Sequence, residues 1–217
     1  MLRTLIQALV AALAFVVAAD PAAAATTASA APASSDAPLV AYWVSHDPPR
    51  FAVTSLLSLE FGTLNSPVAL AHGDSIVARY QIEDPAGFVA AAVARDLAAR
   101  LGGGATVKLD GQQSVKDLDP SRARYLVSAR TESWGFDFFT FDPGHYRAVL
   151  GATVSIRDNL TRKEIAKGGC WAYGSNPVGA PTGKELLADE AARLKALLAE
   201  QAAACVAQIE KRAFRTI

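Results

Sequence analysis

Apolar and polar side chains alternate from Tyr146 to Ile156, with Val149 and Gly151 as the exceptions, and this alternation constrains the fold more than any other feature of the sequence. A period of two residues is typical of a strand with one buried face. A turn follows at residues 158–161, and residues 164–172 return as the partner strand. The same alternation at residues 125–130 indicates a further strand. The pattern predicts an antiparallel sheet with one face that other elements must cover.

Two amphipathic helices are predicted to cover that face. The first, at about 85–101, begins after the N-cap residue Asp84, carries apolar side chains at every fourth position and ends at the glycines 102–104. The second, at about 183–212, begins with the capping-box pair Thr182 and Glu185. We therefore predict an α+β fold, a two-layer sandwich in which a mainly antiparallel sheet is packed by two helices.

The region between Val40 and Ile82 is predicted to add further strands. Residues 51–61 are apolar enough for one or two strands, broken by Gly62. Side chains at positions 76, 78, 80 and 82 alternate with polar or smaller neighbours, which predicts a half-buried strand over residues 76–82.

The amino terminus has the pattern of a secretory signal peptide. A basic residue, Arg3, precedes an uncharged stretch at 5–19, and Ala23 and Ala25 form an A-x-A cleavage site. We predict a signal peptide at 1–25, a disordered Ala/Ser/Pro tether at 26–39 and a single α/β domain at 40–217. The alternative is an uncleaved anchor, although a membrane span needs about 20 apolar residues. The predicted location is periplasmic or secreted, with no transmembrane anchor after signal cleavage.

Charge and cysteine content limit the classes of partner and compartment. The 21 basic residues balance the 21 acidic residues, and no basic cluster points to a nucleic acid. Both cysteines, Cys170 and Cys205, lie in the part predicted to be exported. An even count in an oxidising compartment predicts a disulfide, with two buried free thiols as the alternative.

No catalytic, cofactor or metal motif is present in the sequence. The three histidines, His46, His72 and His145, each have an acidic residue nearby, but none has zinc-ligand spacing. There is no G-x-S-x-G nucleophile motif and no phosphate-binding loop. We predict neither a metal nor a cofactor, and a protein that is not an enzyme. A secreted hydrolase with an unrecognised pair of acid and base remains the alternative.

One aromatic segment is a candidate contact surface for a partner, and we predict it at a tip between two strands. Its aromatic residues are Trp134, Phe136, Phe138, Phe139 and Phe141. Exposed aromatic side chains supply contact area at low entropic cost, which favours association with another envelope protein. The alternative is that these side chains cap an open end of the core.

The strand, acidic turn and return strand resemble those of a known group. Tyr146, Leu150 and Val154 give the pattern Y-x-x-x-L-x-x-x-V, and Asp158 begins the turn before the apolar return at 165–166. This arrangement resembles the small α/β domains of bacterial envelope accessory proteins, such as ABC-transporter auxiliary lipoproteins and the amino-terminal domain of TolB. The resemblance implies a non-catalytic binding or assembly module, such as an accessory component of a transporter. The sequence departs from the lipoproteins because it has no lipidation cysteine.

Overall fold

Six strands and three helices make up the part of the chain that the computed structural model describes, residues 39–45, 47–54, 67–111, 115–116 and 118–215. In chain order they are β1 (Val40–Val44), β2 (Ala52–Val53), α1 (Pro67–Tyr80), α2 (Ala86–Arg100), β3 (Thr106–Lys108), β4 (Tyr125–Phe139), β5 (Asp142–Asp158), β6 (Lys163–Tyr173) and α3 (Gly183–Ala213). The predicted signal peptide, nearly all of the predicted tether and most of residues 51–66 lie outside the described residues.

The sheet has the order β3-β1-β4-β5-β6, and β2 pairs with the second half of β4. The long strands β4, β5 and β6 are antiparallel, as the alternating sequence predicts. Strand β1 runs parallel to both β3 and β4, and β2 also runs parallel to β4. The α+β class and the helix-on-sheet layers are therefore confirmed, and every parallel pair includes at least one short strand.

A third helix replaces the strand predicted over residues 76–82, and that prediction was wrong. Residues up to Tyr80 belong to α1, and burial follows a helical period, with Gly73 and Ile76 buried and Val77 and Tyr80 partly buried. Positions 76 and 80 share a face in a strand and also in a helix, so their apolar character fits both structures. Ala78 decides between the two, because it is exposed.

Helices α2 and α3 cover one side of the sheet, which we call the helix-covered face. The predicted start of α2 is confirmed, because Asp84 accepts a hydrogen bond from the Ala86 N–H at 2.9 Å and another from the Thr131 hydroxyl. Gly102 ends α2 with a φ of +102°. The core between the layers includes Val89, Val93, Leu97, Val127, Leu150, Val154, Ile156, Leu194 and Leu198.

The capping box at the start of α3 is confirmed, but the helix is interrupted one turn later. The Thr182 hydroxyl accepts a hydrogen bond from the Glu185 N–H, and the Glu185 carboxylate accepts one from the Thr182 N–H. Residues 188–191 then leave the right-handed helical conformation, and three of them have φ between 49° and 57°. In the turn before this interruption, Leu186 is fully buried and Leu187 is only partly buried.

The last helix is joined to the last strand by a disulfide and by polar contacts. Cys170 of β6 and Cys205 of α3 form the predicted bond, with their Cα atoms 5.1 Å apart. On the free edge of β6, the Gln208 side chain accepts from the Trp171 N–H and donates to the Trp171 carbonyl, both at 3.3 Å. Arg212 donates to the Gly169 carbonyl at 3.0 Å. Gln208 and Arg212 of α3 therefore form hydrogen bonds with backbone groups of β6 that a further strand would otherwise pair with.

Candidate binding face of the sheet

The side of the sheet opposite α2 and α3 carries the polar half of the alternation, and we call it the open face. Paired residues of an antiparallel sheet point to the same side, so the register assigns its members. These are Leu126, Ser128, Arg130, Ser133, Gly135 and Asp137 of β4, Arg147, Val149, Gly151, Thr153, Ser155 and Arg157 of β5, and Lys167, Gly169, Trp171 and Tyr173 of β6.

One end of the open face is closed by the chain between β3 and β4. Leu118 and Ala123 pack against Ala41 and Leu126 in a small second core. The fully buried Asn159 fixes this segment, because its side-chain amide donates to the carbonyls of Leu118 and Ala123 at 3.0 and 3.2 Å. The sequence 159–161 fits a glycan-acceptor pattern, but Asn159 is fully buried and its side-chain amide is engaged in the two hydrogen bonds, so it has a structural role at this turn.

The other end of the open face carries an aromatic platform formed by Phe139, Arg147, Trp171 and Tyr173. The Arg147 guanidinium lies 5.2 Å from the centroid of Phe139 and 5.1 Å from that of Tyr173, within the range of cation–π attraction. Trp171 is 54% exposed and Tyr173 48% exposed. The platform therefore presents two large rings to solvent from a sheet that holds their backbone in place.

Glycine at position 151 makes room for the Trp171 ring. A Cβ atom at Gly151 would lie 2.6 Å from two atoms of the six-membered ring of Trp171, which is closer than van der Waals contact permits. Gly169 differs, because a Cβ atom there would lie 3.5 Å from the nearest atom, a methyl group of Thr153. The indole is thus seated directly over the backbone of β5 by the absence of one side chain.

Charged groups beside the platform are paired with one another. A bulge in β4 between Thr131 and Ser133 brings Glu132 to this face. Its carboxylate accepts from the Thr153 hydroxyl at 2.6 Å and from Arg130 at 2.7 Å. These hydrogen bonds, first from Thr153 and then from Arg130, lower the pKa of Glu132. Asp137 accepts from Arg147 at 3.4 Å.

A cavity of about 320 Å³ lies on the open face, next to the platform. Hydroxyl and charged side chains form most of its wall, and Thr153 is two residues from Gly151 along β5. Its lining includes Trp43, Ser45, Ser128, Arg130, Thr153, Ser155, Glu164 and Lys167. The open face therefore combines exposed rings with hydrogen-bonding groups in one continuous region.

A larger cleft, of about 540 Å³, lies on the helix-covered side, near the start of α2. Ile82, Leu198 and Ala202 contribute apolar wall, and Phe88, which is 51% exposed, stands at its rim. Lys108 and Lys195 are its basic residues. Of its two carboxylates, Glu83 and Asp84, Asp84 is engaged with the first turn of α2 and with Thr131.

The His145 side chain does not form the acid–base pair that the hydrolase alternative requires. Such a hydrolase would need His145 to face an acidic partner such as Asp137 or Glu132 across a deep cleft. The structure instead pairs the Nδ1 atom of His145 with Asp142 at 2.8 Å, and the two side chains are 39% and 41% exposed. Within the described residues, no group of three His, Cys, Asp or Glu side chains could hold a metal ion.

The five aromatic residues predicted as a partner contact lie along the end of β4 and in the following turn. Trp134, Phe136 and Phe139 are buried, Phe138 is half-buried, and Phe141 is fully exposed. The Trp134 indole donates to the Pro49 carbonyl at 2.7 Å, and Phe51 packs edge-on against Trp134 and Phe136. The contact stays a prediction, and only Phe138 and Phe141 have surface to offer a partner.

Sequence reasoning missed Trp171 and Tyr173, although the sequence contains a signal for them. Cys170, Ala166 and Gly168 lie on the face of β6 that meets the last helix. The period of two residues then places Trp171 and Tyr173 on the opposite face, away from both helices. Large aromatic residues on the uncovered face of an edge strand are the signal that could have found the platform.

Comparison with known proteins does not identify a family. No family model matches the chain, and no curated protein matches it. Among the described residues, none of the helices has the length and apolar character needed to cross a membrane.

Several solved structures show a distant likeness. The PelC dodecamer from Paraburkholderia phytofirmans is 15% identical, with a TM-score of 0.31, over 78% of this chain and 87% of that chain. Protein XCC0632 from Xanthomonas campestris is 14% identical, with a TM-score of 0.37, over 77% of this chain and 80% of that chain. Lipoprotein GNA1162 from Neisseria meningitidis is 11% identical, with a TM-score of 0.27, over 77% and 99%. All three are bacterial proteins, and TM-scores this low transfer neither function nor assembly.

Proposed function

We propose that this protein is exported to the bacterial envelope and acts there as a non-catalytic binding module. Its binding surface is the open face, at the end that carries the aromatic platform. The exposure of Trp171 and Tyr173 side by side on a rigid strand carries the proposal, because neighbouring large apolar groups in solvent mark interaction sites. A surface held by a sheet loses little conformational entropy when a ligand binds.

Export is supported by the chemistry of the cysteines and by the amino-terminal sequence. The Cys170–Cys205 disulfide suits an oxidising compartment, and the apolar stretch at 5–19 precedes a cleavage pattern. We expect a mature protein that begins near Thr26 in the periplasmic or secreted fraction. Cell fractionation followed by intact-mass measurement tests this, and a full-length chain in the membrane fraction would contradict it.

Binding through the open face is tested with a double variant, Trp171→Ala/Tyr173→Ala. The purified mature protein is incubated with washed envelope fragments, and the amount that sediments is measured. We expect retention to fall to background for the double variant, while its far-ultraviolet circular dichroism and Tm match the wild type. Phe88→Ala is the matched control, because Phe88 is equally exposed but lines the cleft on the other side. Loss of retention for Phe88→Ala alone would place the binding surface in the cleft and overturn the proposal.

The predicted contact with another envelope protein at the β4–β5 turn is tested separately. Phe141→Ser removes the fully exposed ring at this turn, and a surface change of this kind alters stability by less than about 0.5 kcal/mol. Reduced cross-linking to an envelope protein would support the contact. Unchanged cross-linking would limit any interaction to the platform.

A further inference from the structure

We infer that the aromatic platform and the polar cavity beside it bind an uncharged glycan chain. This inference rests on the proposed function and names the class of ligand for the same face. A pyranose ring has one face of C–H groups and a rim of hydroxyl groups. A site for such a ring needs an exposed aromatic surface and, within reach of it, groups that both donate and accept hydrogen bonds.

The exposed rings provide the stacking surface. Trp171 and Tyr173 are two residues apart on one face of β6, so their backbones are separated by about 6.8 Å at the usual strand rise. The indole is supported from below by the Gly151 backbone, and Tyr173 is held by Arg147. Neighbouring sugar rings of one extended chain can therefore contact the two side chains in succession.

The hydroxyl-rich cavity provides the hydrogen bonds. Ser128, Thr153 and Ser155 line it together with Arg130 and Lys167. The Glu132 carboxylate is hydrogen-bonded to two lining residues, Thr153 and Arg130, and it retains acceptor capacity for a hydroxyl group. A chain that stacks on Trp171 and continues along the sheet passes from Gly151 to Thr153 and reaches this cavity.

Charge pairing favours an uncharged polymer over an anionic one. Arg130 is neutralised by Glu132, and Arg147 by Asp137. Lys167 faces the same Glu132 carboxylate, whose pKa its charge lowers, and Glu164 lines the cavity beside it. An anionic chain would gain little from basic groups that are already paired. The charge balance also disfavours nucleic acids, whose binding depends on unpaired basic side chains.

The inference is tested by affinity electrophoresis of the mature protein in gels that contain hydroxyethylcellulose, glucomannan or glycol chitin, with alginate as the anionic probe. Cellohexaose and chitohexaose then give the Kd by titration calorimetry. We expect retardation by at least one neutral polymer and none by alginate. Trp171→Ala should weaken binding about tenfold, as expected for the loss of one stacking contact in a site with several.

A matched pair of glycine variants separates ring position from general disturbance of the sheet. Gly151→Ala places a methyl group where the indole lies, so it should displace the ring and weaken glycan binding about as much as Trp171→Ala. Gly169→Ala adds the same methyl group in ordinary contact with Thr153, and its Kd should stay within about twofold of the wild type. Equal effects of the two glycine variants would overturn the assignment of the platform. The Tm of each variant is recorded, and Trp171→Phe, which keeps a ring, should recover most of the affinity.

The outcomes distinguish this inference from the proposed function. If envelope fragments retain the protein through Trp171 but no neutral polysaccharide does, the ligand is not an uncharged glycan, so the glycan inference fails and the binding module stands. If alginate binds and salt releases it, the charge argument is wrong. If neither fragments nor polysaccharides depend on Trp171, both proposals fail together.

Discussion

The two faces of the sheet are built from the same strands, but one face is buried under helices and the other carries exposed side chains. On the helix-covered face, aliphatic side chains such as Leu150 and Ile156 are fully buried under α2 and α3. On the open face, the intervening residues are mostly hydroxyl-bearing, charged or aromatic, with Val149 and Gly151 among the exceptions, and the rings of Trp171 and Tyr173 are about half exposed. A period of two residues allows one strand to encode a core and a binding surface at once. Stability and the proposed ligand recognition should therefore respond separately to substitutions at adjacent positions.

The difference between the two faces is tested most directly by truncating two neighbouring residues of β5. Leu150→Ala removes a fully buried side chain from the helix-covered face, and we expect a loss of about 2–5 kcal/mol. Val149→Ala removes a half-buried side chain from the open face, and we expect less than about 1 kcal/mol. Urea unfolding measures both. Equal losses would show that the open face is as much a core as the helix-covered face.

The disulfide tests how firmly α3 is held on the helix-covered face. Replacing Cys170 and Cys205 together by Ala opens a loop with a sequence separation of 35 residues, for which chain entropy gives about 3 kcal/mol. We expect the unfolding midpoint in urea to fall without a change of fold by circular dichroism. Treating the wild type with a reductant should reproduce the loss, and an unchanged midpoint after confirmed reduction would contradict the prediction.

Asn159 tests the closed end of the open face. Asn159→Ala leaves the carbonyls of Leu118 and Ala123 without their side-chain donor, and we expect a loss of about 2 kcal/mol. Leu160→Ala is the control, because the neighbouring Leu160 side chain is 61% exposed and should contribute little. Retention on envelope fragments should be unchanged for both variants. A loss of retention for Asn159→Ala would show that the two ends of the open face are coupled.

The smallest effect concerns the contact between α2 and α3. Burial, then the hydrogen bond and charge of Asp96, raise the pKa of Glu210 from 4.5 to about 7, while Arg100 opposes the shift. Between these values the folded protein binds a proton that the unfolded chain does not, so stability falls as pH rises through this window. Glu210→Gln should raise the Tm at pH 8 by about 2 °C and leave it nearly unchanged at pH 5. An identical pH profile for wild type and variant would refute this.

The parts of the fold that depend on local patterns could be predicted from the sequence. The strand pair around Asp158, the two covering helices and the capping box of α3 follow from periodicity and end signals. Helix α1 could not be separated from a strand, because its apolar residues fit both periods. The predicted contact surface was the aromatic cluster at 134–141, so the prediction did not include the rings of the platform on β6. That segment contacts Pro49 and Phe51, residues far away in sequence, and no local pattern reports such contacts.

The polar contacts at the free edge of β6 have a consequence for how the molecule meets other chains. Gln208 presents its amide to Trp171 as a peptide group of a neighbouring strand would, and Arg212 holds the next outward carbonyl, that of Gly169. Aggregation by edge-to-edge growth must first displace both side chains. Because Gln208 occupies the backbone N–H and carbonyl of Trp171, the exposed indole of this residue can remain available to a ligand. Its backbone is not available to a strand of a second copy of the protein.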